Sequence, residues 1–190
     1  MSVQDRSIDL LILKLHDKKV EVRKETVAAL GEIGTDHAVE LLIKMLEDKE
    51  WIIRTSVVHT LNEIVDDSSL ELLIHALDSP FANVRAGIIK VLGDIGTSTV
   101  LDLLLRFLSD DDLYVRKDAA EALGKLGDMC AVEPLIHSMT DVSKEVRGHA
   151  AYSLGKLGDE RAIEPLTNAL SDVDESVRKF AFRALGEFLK

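Results

Sequence analysis

Six arginines, Arg23, Arg54, Arg85, Arg116, Arg147 and Arg178, stand 31 residues apart with no insertion between them. Val22, Ile53, Val84, Val115, Val146 and Val177 precede them, and Leu30, Leu61, Leu92, Leu123, Leu154 and Leu185 follow seven residues later. A fixed period of this length means that one short supersecondary unit is repeated and stacked. Six residues before the arginine stands Asp17, Asp48, Asp110, Asp141 or Asp172, with Ser79 as the exception. Fourteen before it stands an acid every time: Asp9, Glu40, Glu71, Asp102, Glu133 and Glu164.

Each unit reads as a short helix, a tight turn and a second helix, as in "AIEPLTNAL" followed by "ESVRKFAFRALGEF". The pairs Gly31/Gly34, Gly93/Gly96, Gly124/Gly127 and Gly155/Gly158 are expected to stop the second helices in the left-handed conformation. Repeat two has Asn62 and Val65 there, so its helix is expected to run on. A helix pair this short cannot bury its apolar stripe alone, and stacking supplies the continuous core. With hydrophobic residues at 46% and aromatics at only 4%, that core must be aliphatic. We expect one domain over residues 1–190, with repeats at about 5–35, 36–66, 67–97, 98–128, 129–159 and 160–190.

The pattern "AVEPLIHSM…D…VRGHAAYSLGKLGD", repeated over nearly the whole chain, resembles the HEAT-like repeats of the phycobilisome-lyase type. The resemblance implies an all-α fold, a right-handed α-solenoid of six two-helix repeats, with the second helices lining its concave side. It also implies that Asp17, Arg23, Asp48, Arg54, Arg85, Asp110, Arg116, Asp141, Arg147, Asp172 and Arg178 form a ladder between neighbouring repeats rather than an active site. A feature present in every repeat is architecture before it is catalysis.

Advancing 100° per residue from each arginine places offsets -1, +3, +4, +6, +7 and +10 on a buried arc and -2, +1, +2, +5 and +9 on an open one. Most residues on the open arc are polar. The exceptions are Ile52, Tyr114, Tyr152 and Phe180, joined by His59 and His149, with Trp51 and Leu113 at the edge. Large apolar groups on a polar arc, beside Lys117, Lys156 and Arg183, suggest a partner-binding groove. Trp51 and Ile52, in the stretch "EWIIR", would be its near end.

Charge narrows the partner. The chain carries -11, while the open arc, with the -3 positions included, holds eight Lys/Arg against ten Asp/Glu. A nearly neutral, mixed groove suits a protein or an acidic peptide, and it lacks the uninterrupted basic track that nucleic acid requires. No apolar run approaches the roughly 18 residues of a membrane helix, and "MSVQDRSIDL" lacks the pattern of a signal peptide. With the single Cys130, this leads us to expect a cytoplasmic protein.

The residues suggest no catalytic group, metal or cofactor. No histidine is followed by glutamate, which sets the chain apart from the di-iron deoxyhypusine hydroxylases among HEAT-repeat enzymes. His59 and Glu63 lie four apart on one helix and are only two potential ligands. Cys130 begins a first helix, where a thiol's pKa can be lowered, but no histidine at a meaningful spacing supports a nucleophile, so a packed or exposed turn thiol is expected. The leading expectation is a non-enzymatic protein-interaction scaffold. The alternative is a phycobilin lyase-like factor for attaching or detaching a chromophore, with the groove aromatics around a tetrapyrrole. Phe182 and Phe188 in the last repeat lead us to expect either burial at the helix end or an end-to-end homodimer.

Overall fold

The computed structural model describes residues 3–66 and 69–189. They form twelve α-helices arranged in pairs, and no strand occurs among the described residues. The chain divides into two compact units, residues 1–91 and 92–190.

The first unit holds α1 (Val3–Lys14), α2 (Val20–Ile33), α3 (Asp36–Met45), α4 (Trp51–Ile64), α5 (Leu70–Ala76) and most of α6 (Ala82–Ile95). Its core consists of side chains with no exposed surface, Leu30, Leu42, Leu46, Ile53, Leu61, Leu73, Ile88 and Ile89. Leu30, Ile53, Leu61, Ile88 and Ile89 are positions that the register marks as apolar on the second helices, and Leu42, Leu46 and Leu73 come from the first helices or their ends. The helix α4 does not run on. It ends at Ile64 and is fourteen residues long, like α2. Val65 closes it in an extended conformation, its N–H on the Leu61 carbonyl, so the stop does not require glycine.

The second unit contains α7 (Leu101–Arg106), α8 (Leu113–Leu126), α9 (Val132–Ser138), α10 (Lys144–Leu157), α11 (Ile163–Ala169) and α12 (Glu175–Glu187). Short 3-10 turns lead into α7, α9 and α11. Pro134 and Pro165 fall in the first turns of α9 and α11, where a missing N–H costs no helical bond. Within this unit α8, α10 and α12 pack side by side, and α7, α9 and α11 touch one another much less. The second helices therefore form the continuously packed layer of this unit.

The glycine pairs divide their work. Gly34, Gly96, Gly127 and Gly158 have positive φ, between 59° and 75°, and close their helices as expected. Gly31, Gly93, Gly124 and Gly155 lie inside their helices instead and are packing residues. A Cβ on Gly155 would stand 2.7 Å from the Cα of Ala184, and one on Gly124 would stand 2.9 Å from the Cα of Ser153. Successive second helices meet backbone to backbone there. Ser153, fully buried on α10, adds a hydrogen bond from its Oγ to the Ala120 carbonyl on α8 at 2.8 Å.

Candidate partner-binding face and arginine rungs

Each turn between first and second helix is built by the residue six before the arginine. Its side-chain oxygen accepts the N–H two residues on: Lys19 on Asp17, Glu50 on Asp48, Asp112 on Asp110, Ser143 on Asp141 and Asp174 on Asp172, all at 2.7–2.9 Å. This Asx turn exposes the carbonyl of the same residue to its own arginine. All six arginines donate Nη1 to that carbonyl at 2.7–2.9 Å.

The remaining edge of the guanidinium reaches the next repeat. Arg23 holds Asp48 through Nε and Nη2 at 2.6 and 3.0 Å, Arg116 holds Asp141 at 2.8 and 3.0 Å, and Arg147 holds Asp172 at 2.8 and 2.9 Å. These are bidentate, charge-assisted pairs in which the planar fork matches the carboxylate. Burial pushes the Asp48 and Asp141 carboxyls up, but the hydrogen bonds from Arg23 and Arg116 and from turn N–H groups prevail, leaving both below the ordinary range. For Asp172 the bond from Arg147 dominates and acts in the same direction. Arg116 is thus joined to two aspartates in different ways: to the backbone of Asp110 and to the side chain of Asp141. Arg178 keeps its bond to the Asp172 carbonyl, and Arg85 its bond to the Ser79 carbonyl.

Across the second helices of the second unit, Tyr114, Lys117, Glu121 and Lys125 follow one another along α8, with His149, Tyr152 and Lys156 on α10 and Phe180 and Arg183 on α12. Tyr114 and Tyr152 are 60% and 41% exposed. Each lies beneath a lysine of its own helix, Lys117 Nζ at 5.9 Å and Lys156 Nζ at 5.6 Å from the ring centre. Phe180 is half-buried against Gly148, where any Cβ would come within 2.8 Å of its ring. The His149 and Tyr152 rings flank it at 5.7 and 6.3 Å. His149 is fixed by an Nδ1–H bond to the Glu145 carbonyl at 2.9 Å, with Nε2 at 3.8 Å from Glu121.

Half of the basic side chains named on this face are paired. Lys117 meets Asp118 at 2.9 Å and Lys125 meets Asp94 at 2.7 Å, while Lys156 and Arg183 have no ion pair among the described residues. Asp118, almost completely buried at the foot of Lys117, is a feature that sequence reading missed, because the helical wheel places it on the open arc.

In the first unit, Ile52 is 38% and Trp51 is 66% exposed, both at the start of α4. His59 is exposed farther along α4, 3.7 Å from Glu63, in a shallow groove shared with Lys24 and Ala28 of α2. Trp51 and Leu113 occupy equivalent register positions, each the first residue of its helix and three before the arginine. Leu113 is half-buried and lines a cleft there with Arg116, Val142, Ser143 and Lys144.

Cys130 is exposed and lies in a 3-10 turn, not in an α-helix. The Asp128 carboxylate beside it pushes the thiol up, opposite to the shift a nucleophile needs. Phe182 is 71% exposed and Phe188 half-buried. No group of three or more metal-ligating side chains, and no helix long and apolar enough to cross a membrane, occurs among the described residues.

Comparison with known proteins adds the lineage. A profile of HEAT repeats matches residues 8–81, 70–143 and 132–189. No curated protein sequence matches the chain. Among solved structures, YibA of Escherichia coli is 25% identical, with a TM-score of 0.70 over 93% of this chain and 69% of that one. The CpcE–CpcF complex of phycocyanin lyase from Nostoc sp. PCC7120 is 22% identical, with a TM-score of 0.71 over 78% of this chain and 98% of that one. A designed armadillo repeat protein in complex with the peptide (KR)4 is 19% identical, with a TM-score of 0.58 over 94% and 98%.

Proposed function

Because the chain belongs to the HEAT-repeat family, we propose that it is a non-enzymatic scaffold that binds a partner protein or peptide on the exposed face of its second helices. The observation that supports this reading is the row of Tyr114, Tyr152 and Phe180 across α8, α10 and α12. Two of these rings are substantially exposed, and each of those two is paired with a lysine. Tyrosine on an otherwise polar helix face offers a large, rigid contact area at small entropic cost, as interface anchors do. Repeats of the same fold hold a peptide in the designed armadillo protein and form a two-protein complex in CpcE–CpcF. At 22% identity the lyase likeness speaks to fold alone and adds no chromophore chemistry.

The test is comparative capture from the source cell. Wild type is set against a Tyr114→Glu, Tyr152→Glu variant with unchanged helicity, and retained proteins are identified by mass spectrometry. A partner held by wild type and lost by the variant is expected. Partners held equally by both would remove this face from the function.

A further inference from the structure

The turn at Ser79 breaks the register in one chemical respect only. The Ser79 Oγ still accepts the Phe81 N–H, at 3.2 Å, and its carbonyl still accepts Arg85, at 2.9 Å. The turn is kept, and the carboxylate is lost. Arg54 is 25 residues before Ser79, the separation at which Arg23, Arg116 and Arg147 find Asp48, Asp141 and Asp172. It is oriented as they are, with Nη1 on the carbonyls of Asp48 and Lys49 at 2.8 and 3.1 Å. Its Nε and Nη2 meet no carboxylate among the described residues, and neighbouring Asp78 forms no ion pair with it.

The surroundings of this fork also differ. The cleft beside Arg116 is lined by Leu113, Val142, Ser143 and Lys144. Two repeats earlier, within the first unit, the positions in the same register relative to Arg54 are Trp51, Pro80, Phe81 and Ala82. Trp51 is 66% and Phe81 51% exposed. The polar Ser143 and the charged Lys144 give way to Phe81 and Ala82, so all four positions are apolar or aromatic at the one turn where the residue 25 after the preceding repeat's arginine is not an acid.

We propose that the open fork of Arg54 receives a side-chain carboxylate from an acidic segment of the partner, with Trp51 and Phe81 holding an apolar residue next to it. This rests on the scaffold reading and names the chemistry of the partner. The occupant follows from the chain itself, since Arg23, Arg116 and Arg147 each close on a carboxylate through the two nitrogens that Arg54 leaves open. An aromatic wall beside a guanidinium gives such a peptide an apolar contact as well as a charge.

Trp51 is the only tryptophan, so its emission reports on this cleft directly. Capped seven-residue peptides with a central Glu between two Leu, two Val or two Phe are titrated against the intact chain, together with their Gln counterparts. At least one Glu peptide is expected to shift the emission saturably, and its Gln counterpart to bind at least about tenfold more weakly. Ser79→Asp, which supplies the missing carboxylate from within, and Arg54→Gln are both expected to abolish the response. Equal binding of Glu and Gln peptides, undiminished binding to Ser79→Asp, or no saturable response at millimolar peptide would each overturn the inference. Binding lost in Tyr114→Glu, Tyr152→Glu but kept in Ser79→Asp would retain the scaffold reading and reject the open fork.

Discussion

Arg147 closes a two-bond fork on the carboxylate of Asp172, Nε at 2.8 Å and Nη2 at 2.9 Å, while its Nη1 holds the carbonyl of Asp141 at 2.9 Å. One side chain thus ties the turn of its own repeat to the turn of the next. The repeats are joined by polar geometry as well as by apolar burial.

Arg147→Ala is expected to lower stability by about 1.5–3 kcal/mol, the scale of a charge-assisted hydrogen bond. Arg147→Lys should recover little, because an ammonium cannot form the planar fork or reach both repeats at once. Denaturant unfolding of the three proteins checks this, and a lysine variant as stable as wild type would refute the role of the fork.

The same pairs predict an acid limb. Asp48, Asp141 and Asp172 have folded-state pKa values below the ordinary 3.8. Their contribution is complete above the unfolded-state value and is lost as pH falls through the lower folded values. Thermal stability should therefore be flat from neutrality to about pH 5 and fall below about pH 4. Arg147→Ala should show a shallower fall, since one of the linked carboxylates has lost its partner.

Ser79→Asp is expected to raise the melting temperature by closing the fork on Arg54, with a gain of about 1.5 kcal/mol. The double variant Arg54→Gln, Ser79→Asp should lose that gain. Calorimetry on the four proteins of this cycle gives the coupling energy directly.

Two glycine substitutions of the same chemistry should have opposite signs. Gly155→Ala forces a Cβ to 2.7 Å from the Ala184 backbone and is expected to cost about 1–3 kcal/mol as overpacking. Gly186→Ala, at the same register position in α12 but with nothing within 4 Å, should stabilise by about 0.5–1 kcal/mol through helix propensity. Equal effects would mean that the helices do not approach so closely.

Cys130 should alkylate slowly for an exposed thiol at neutral pH, because the neighbouring Asp128 raises its pKa. Asp128→Asn is expected to speed the reaction. The rate of iodoacetamide labelling against pH measures both.

The 31-residue period determined the helix pairs, the apolar positions that became the core and the side of the second helices that bears Tyr114, Tyr152 and Phe180. These follow from the local sequence, since helical period and turn chemistry act within one repeat. The tertiary structure decided what depends on the neighbouring repeat. It showed that Arg116 takes the backbone of Asp110 and the carboxylate of Asp141, that Gly155 is a point of helix contact while Gly158 is a cap, and that Val65 can end α4 without glycine. It also buried Asp118 and left Trp51 largely exposed at the start of α4. The physical reason is that a repeat's sequence specifies which groups need partners, whereas distances of a few ångströms between stacked helices select the atoms that supply them.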